Sequence, residues 1–252
     1  MPPDRWLPLR SPRAGARLRL FCFPYAGRGA SVYRGWEQRL PLGIELCAVQ
    51  LPGREGRLAE RRPASMEALA SATARALEPY LDLPYAVFGH SFGAAVAFEV
   101  VRKLHQSGGL STRHVFVSGR GGPHQRPWAA DLHALPDDEL IERVQELQGI
   151  PGEVLARPEV MTVLMPLLRD DLRLAETYRA PDGPPLRCPV TAFAGVHDPL
   201  TPEAALETWR STTLGPFTKR LFPGGHFYLH DEADGLIEAI TTTLLGGPVD
   251  GV

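Results

Sequence analysis

Cysteine is scarce in this sequence and is not arranged for disulfides or for metal binding. The 252 residues include three cysteines, Cys22, Cys47 and Cys188, at wide spacing and without a Cys-x-x-Cys or Cys/His cluster. An odd number of dispersed cysteines argues against a disulfide framework and against a structural zinc site. We therefore expect a reduced, cytoplasmic protein in which Cys22 and Cys47 are buried within apolar strands.

Long apolar runs and an excess of one charge are missing as well. No apolar run approaches the ~18 residues that a membrane helix needs. The 27 basic and 29 acidic residues give a net charge of -2, so no nucleic-acid or anionic-membrane partner is expected. The arginine-rich N-terminus runs directly into an apolar strand, and no targeting segment is predicted.

Short apolar runs bounded by glycine or proline alternate with stretches of helical periodicity. The runs predict strands at 18–23, 46–51, 85–88, 114–118, 190–194 and 219–222. Helices are predicted at 66–81 behind an N-cap at Ser65, at 94–104 and at 236–245. This order indicates one α/β domain over residues 1–252, with a mostly parallel sheet and helices on both faces.

The stretch between the fourth and fifth predicted strands is too long for an ordinary crossover connection. We therefore predict a helical lid inserted at about residues 122–185, with helices at 137–148 and 159–178. Pro166 is expected to kink or split the second helix. Its many apolar residues, Met161 and Met165 among them, either pack the lid or line a tunnel for an acyl chain. Both interpretations stay open.

A G-x-S-x-G motif spans residues 89–93, with Ser91 at its centre. Alone the pattern is weak, but an apolar strand enters it and a helix of small residues leaves it, as in the nucleophile elbow of α/β-hydrolases. Gly89 and Gly93 permit the tight turn and the close approach of helix to strand. The motif thus predicts the α/β-hydrolase fold with Ser91 as nucleophile, while His90 supports the elbow.

A serine nucleophile needs a base, and the base needs a carboxylate to orient it. In this fold the chain order is serine, acid, histidine. Asp198 lies just after the fifth predicted strand, and His226 lies in a glycine-rich loop after the last one. We therefore predict a catalytic triad of Ser91, Asp198 and His226.

Four other residues are weaker candidates. His197 precedes the predicted acid, and His230 is expected at the surface just before the final helix. Asp170 and Asp171 are fallback acids, but consecutive carboxylates within a helix are more often solvated or capping residues.

An oxyanion hole needs two N–H donors. One follows the nucleophile, and the fold takes the other from the loop after an early strand. The backbone N–H groups of Phe92 and Ala26 occupy these places in the sequence.

Five motifs occur in a characteristic order along the chain. They are FPYAG at 23–27, LPGRE at 51–55, GHSFGA at 89–94, GxxDP at 195–199 and GGHF at 224–227. With them the sequence resembles the type II thioesterases that accompany modular polyketide and nonribosomal peptide synthases. It departs from that family at Arg28, where a second glycine is frequent, and at Phe92, where methionine is frequent.

The resemblance implies a hydrolase that removes stalled or misloaded acyl groups from the phosphopantetheine arm of acyl or peptidyl carrier domains. It implies an acyl-enzyme intermediate and neither a metal nor a redox cofactor. Substrate-binding residues are expected around the lid and the loop at Arg28, namely Tyr25, Arg28, Met161, Met165 and Phe227.

Other functions remain compatible with the sequence. The same triad could serve an oxygen-ester hydrolase, an acyl transferase or a cyclase. If the triad is inactive, the protein could instead be a non-catalytic module that binds carrier domains. Arg54, Arg57, Arg61 and Arg62 cluster after the second strand. They are either solvated surface or a docking site for acidic carrier domains.

Overall fold

The computed structural model describes residues 4–108, 112–124, 131–150 and 152–246. Its centre is one six-stranded sheet in the order β2-β1-β3-β4-β5-β6, and every neighbouring pair is parallel. The strands are β1 (Leu18–Phe23), β2 (Ile44–Ala48), β3 (Tyr85–His90), β4 (Thr112–Ser118), β5 (Val190–Gly195) and β6 (Phe217–Phe222). The predicted mostly parallel sheet is confirmed.

Helices cover both faces of this sheet. Those in the described ranges are α1 (Trp36–Arg39), α2 (Met66–Leu77), α3 (Phe92–Gln106), α4 (Asp137–Glu146), α5 (Gly152–Leu155), α6 (Pro158–Thr177), α7 (Glu203–Glu207) and α8 (Ala233–Gly246). None of these helices has the length and apolar character that crossing a bilayer requires.

The sheet separates two hydrophobic cores, and alternate residues of each strand enter opposite cores. In β1, Phe21 packs in the core beneath α2 and α3, while Leu20 packs in the core beneath α1 and α8. Burial on both faces explains why the strands read as continuous apolar runs in the sequence. Cys22 and Cys47 are buried as predicted, and burial raises the pKa of both thiols.

Several predicted boundaries differ from the structure by a few residues, and two of them have a clear physical cause. The second strand ends at Ala48 because the buried residues after it leave the sheet, and the Gln50 N–H donates to the Trp6 carbonyl instead. Helix α2 begins as predicted, with Ser65 Oγ accepting a hydrogen bond from the Ala68 N–H. It ends at Leu77, before a short 3-10 turn that contains Pro79, because proline has no N–H to continue the helix.

The segment between β4 and β5 carries α4, α5 and α6. Helix α6 continues unbroken through Pro166, so the split expected there does not occur. Pro166 and Thr162 are both exposed, so the helical hydrogen bond that proline cannot make lies on an exposed part of α6, where water can replace it.

The two halves of α6 pack against different parts of the molecule. The first half joins α4 in a separate cluster that includes Leu140, Val144, Met165 and Leu168. The second half and the residues after it contribute Leu174, Ala175 and Tyr178 to the core beneath α3. The predicted insertion therefore packs partly in a cluster of its own and partly as an integral layer of the domain.

Candidate active site

Ser91 occupies the sharp turn between β3 and α3. Its backbone has φ 53° and ψ -114°, a conformation that residues with a side chain rarely adopt. The Ser91 N–H donates to the Ser118 carbonyl over 2.7 Å, which ties the turn to the end of β4. The hydroxyl is thus presented at the carboxyl edge of the sheet and at the positive end of a helix.

Two glycines make this turn possible by allowing backbone to approach backbone. A Cβ atom on Gly89 would lie 2.2 Å from the carbonyl oxygen of Gly93, and one on Gly93 would lie 2.2 Å from the carbonyl oxygen of Phe23. Either contact is far inside van der Waals distance and falls on backbone that has little freedom to shift. This geometry agrees with the close packing that the sequence predicts at Gly89 and Gly93.

Replacing Gly93 by alanine should destabilise the fold by ~3 kcal/mol or more, because the new methyl group collides with the loop after β1. Denaturant unfolding of Gly93→Ala measures this change. Gly56→Ala is the matched control, since a Cβ atom at the exposed Gly56 meets nothing within 4 Å. A Gly93→Ala protein as stable as the Gly56→Ala control would contradict the assigned packing role.

The predicted acid and base form a hydrogen-bonded pair. His226 Nδ1–H donates to Asp198 Oδ2 over 2.9 Å, and both side chains are buried. The other carboxylate oxygen of Asp198 accepts the Leu200 N–H at 2.8 Å. Because Nδ1 carries the proton in this bond, Nε2 of His226 is left as the basic nitrogen.

Ser91 and His226 line the same cavity, beneath the lid. Tyr25, Ala26 and Arg28 from the loop after β1 line it too, as does Phe227 beside the base. The remaining lining residues come from the lid and the loop after β5: Leu132, Val144, Leu147, Gly149, Ile150, Leu164, Leu168, Leu172 and Leu200. The cavity therefore joins a polar end, which holds the predicted nucleophile and base, to an apolar interior.

Met161 and Met165 do not line this cavity. They pack with the lid's own hydrophobic cluster, and the wall that α6 gives to the cavity consists of Leu164, Leu168 and Leu172. Those three leucines are spaced by four residues and so share one face of a helix. Met161 and Met165 are also spaced by four residues, so the spacing defines rows on α6 but does not show which row lines the cavity.

The predicted oxyanion donors belong to two different segments of the chain. The Phe92 N–H belongs to the first residue of α3, and Ala26 lies in the loop after β1 and lines the cavity. Within the described parts of the chain, the Ala26 N–H has no hydrogen-bond acceptor. Its role as an oxyanion donor, like that of the Phe92 N–H, stays a prediction.

The sequence from residue 18 to residue 244 matches the family model of the thioesterase domain. The chain belongs to the thioesterase family. One relative is the gramicidin S biosynthesis protein GrsT of Aneurinibacillus migulanus, which is 37% identical over 93% of this chain and 92% of its own length.

Solved structures of other thioesterases agree with this membership. RedJ, the thioesterase from the prodiginine pathway of Streptomyces coelicolor, superposes with a TM-score of 0.86 and 42% identity, covering 93% of this chain and 89% of its own. YbtT, a type II thioesterase from the yersiniabactin NRPS/PKS pathway, gives 0.81 and 30% identity over 94% and 96%. Membership of this family makes the protein a hydrolase that acts on thioesters.

His90 has a structural place in this thioesterase. It is fully buried, its Nδ1 lies 2.9 Å from Ser118 Oγ, and that hydroxyl lies 2.7 Å from the Tyr228 hydroxyl. Burial, together with the nearby His226, lowers the pKa of His90 well below its ordinary value. A neutral imidazole that packs beside the base supports the elbow, in line with the prediction from the sequence.

The weaker candidates take no part in the His226–Asp198 pair of this thioesterase. His197 is exposed, and the exposed His230 places Nε2 at 2.9 Å from the Tyr25 hydroxyl. Asp170 pairs with Arg62 at 2.6 Å. Asp171, expected to be solvated or capping, is instead buried, because it forms an ion pair with a buried arginine.

That arginine is Arg54, from the arginine cluster considered for carrier docking. Arg54 and Arg57 are both buried, and the Arg57 guanidinium stacks on the Trp6 ring. Neither side chain can reach a partner protein from the interior. Arg61 and Arg62 alone keep the cluster's charge at the surface.

One group of side chains in the described part of the chain has metal-ligand types, namely Asp131, His133 and Glu176, with donor atoms within 4.8 Å of one another. The Glu176 carboxylate already accepts the N–H groups of Leu132 and His133 and contacts the His133 ring. These bonds give Glu176 a structural role, because they attach the start of the lid to α6.

Proposed function

We propose that the protein hydrolyses acyl groups from the phosphopantetheine thiol of carrier domains, through a triad of Ser91, His226 and Asp198. The observation that carries the proposal is the buried His226–Asp198 hydrogen bond beside a strained serine on the same cavity. GrsT, RedJ and YbtT, which belong to biosynthetic pathways, support a role in polyketide or nonribosomal peptide synthesis.

In the proposed acylation step, His226 Nε2 takes the proton of Ser91 Oγ as the oxygen attacks the thioester carbonyl. Asp198 keeps the other ring nitrogen protonated and stabilises the imidazolium that forms. The oxyanion is bound by the N–H groups of Ala26 and Phe92. The C–S bond then breaks, and His226 returns its proton to the departing thiolate.

Deacylation repeats these roles with water as the nucleophile. His226 takes a proton from the water as its oxygen attacks the acyl carbon, and the C–O bond to Ser91 breaks as that proton is returned. The free acid leaves, and the serine is regenerated. The leucine wall of α6 would offer the acyl chain an apolar surface, and Tyr25, Arg28 and Phe227, which line the same cavity as Ser91, would contact the substrate near the serine.

An acyl carrier protein should be hydrolysed with a kcat/KM at least ~10-fold higher than the same acyl group on N-acetylcysteamine. Binding energy from the remote carrier and its arm can lower the barrier at the carbonyl, so truncation should reduce kcat as well as raise KM. Steady-state kinetics on the two substrates make the comparison.

Equal kcat/KM values for the two substrates would show that the carrier is not recognised. Faster turnover of simple oxygen esters than of any thioester would instead identify an esterase that uses the same triad. Release of the free carboxylic acid would identify a hydrolase, whereas an ester or a cyclic product would identify a transferase or a cyclase.

A further inference from the structure

A buried ion pair joins the lid helix to the loop that carries the Ala26 N–H. Arg54 Nη1 lies 2.8 Å from Asp171 Oδ2, and Arg54 Nη2 lies 3.0 Å from Asp171 Oδ1, a two-point contact. The side chains are 4% and 3% exposed. The partners are 117 residues apart in the chain, one after β2 and the other on α6.

The pair holds the loop at two backbone positions. Asp171 Oδ2 accepts the Gly27 N–H at 2.8 Å, and Arg54 Nη1 donates to the Arg28 carbonyl at 3.1 Å. Between these points the Arg28 N–H donates to the Tyr25 carbonyl at 3.2 Å, which closes a turn with Ala26 and Gly27 at its centre. Gly27 has φ +74°, the left-handed conformation that the third position of a type II turn requires.

Two fixed points determine how this turn is oriented. The Gly27 N–H belongs to the peptide unit between Ala26 and Gly27, and the Arg28 carbonyl belongs to the unit after Arg28. The Ala26 N–H lies in the peptide unit directly before the first of these two. Rotation of the turn would therefore break both contacts with the ion pair. Charge-assisted hydrogen bonds in a buried setting resist such rotation strongly.

We propose that Asp171, held in place by Arg54, is a positioning residue for the oxyanion hole and aims the Ala26 N–H at the thioester carbonyl oxygen. The proposal rests on the function proposed above. Since Asp171 belongs to α6, the same contact makes a correctly seated lid helix a condition for a complete oxyanion hole. An error of about 1 Å in such a donor can cost on the order of 10²-fold in rate.

Stability and kcat together distinguish an ion pair that only stabilises the fold from one that also positions the oxyanion hole. Asp171→Leu leaves the buried Arg54 without a carboxylate partner and should lower stability and kcat together. The double variant Arg54→Met/Asp171→Leu removes both charges, so stability should recover in part. The Gly27 N–H still has no acceptor in that double variant, and kcat should stay about 10- to 100-fold below wild type with KM little changed.

The kinetics use an acyl-N-acetylcysteamine thioester, which tests the chemistry without the carrier. A trifluoromethyl ketone that forms a tetrahedral adduct with Ser91 should lose affinity in parallel with kcat/KM. Asp170→Asn is the matched control: it is the neighbouring residue on α6, pairs with the partly exposed Arg62, and should leave both measurements unchanged. Denaturant unfolding supplies the stability of every variant.

Recovery of wild-type kcat along with stability in the double variant would overturn the proposal. If the double variant does not fold, Asp171→Asn decides, because its amide oxygen can still accept the Gly27 N–H. Its kcat should exceed that of Asp171→Leu by at least ~10-fold, and equal values would overturn the positioning role. A wrong triad assignment would be recognised separately, because Ser91→Ala would then keep the turnover of the wild type.

Discussion

Replacing Ser91 by alanine should lower kcat for thioester hydrolysis by ~10⁴-fold or more while the protein stays folded. The oxyanion donors and the binding cavity remain, but no covalent intermediate can form. Alanine fits the same turn, since the Ser91 N–H contact with Ser118 belongs to the backbone. Kinetics on an acyl thioester, with thermal unfolding as the check of folding, measure the effect.

Covalent labelling gives a second readout of the same prediction. A fluorophosphonate should label the wild type and fail to label Ser91→Ala, because only an activated serine reacts. The matched control is Ser107→Ala, which removes an exposed hydroxyl at the end of α3. An activity loss under ~10-fold in Ser91→Ala would end the triad hypothesis, and labelling that persists in this variant would point to another nucleophile.

Replacing Asp198 by asparagine should lower kcat by about 10³- to 10⁴-fold. The neutral amide cannot stabilise the imidazolium of His226, and an amide NH₂ facing Nδ1 would favour the tautomer with its proton on Nε2. The Leu200 N–H can still be accepted by the amide oxygen, so the loop after β5 should keep its shape. Steady-state kinetics and denaturant unfolding separate the catalytic effect from any structural one.

Asp170→Asn is the comparison for this prediction, because Asp170 was a fallback acid in the sequence and pairs with Arg62 in the structure. It should retain nearly full activity. A nearly silent Asp198→Asn combined with a strong effect of Asp170→Asn would mean that the acid was misassigned.

Local pattern and chain order were sufficient to predict much of this arrangement. The elbow at Ser91 can be predicted from an apolar strand before it and a helix of small residues after it. A helix that packs this close to a strand needs small residues at the points of contact. Asp198 and His226 were found because parallel strands end at one edge of a sheet, where the loops after them must meet. Their hydrogen bond in the structure agrees with that prediction.

Other features depend on contacts between distant segments and leave no local trace. Asp171 has the same sequence context as Asp170, yet one is buried against Arg54 and the other lies near the surface. Met161 and Leu164 are both apolar residues of α6 and both pack in the lid cluster, yet only Leu164 lines the cavity. Helical periodicity defines a face, but it does not say what the face will meet.

The division of α6 between two clusters limits how the lid can be exchanged among relatives by protein engineering. A chimera that swaps the whole of residues 122–185 would also replace Leu174, Ala175 and Tyr178, which pack under α3. It would remove the bond from the Tyr178 hydroxyl to buried Glu99 as well. A graft that ends before Leu174 keeps the recipient's own core, so the transferable unit is shorter than the insertion.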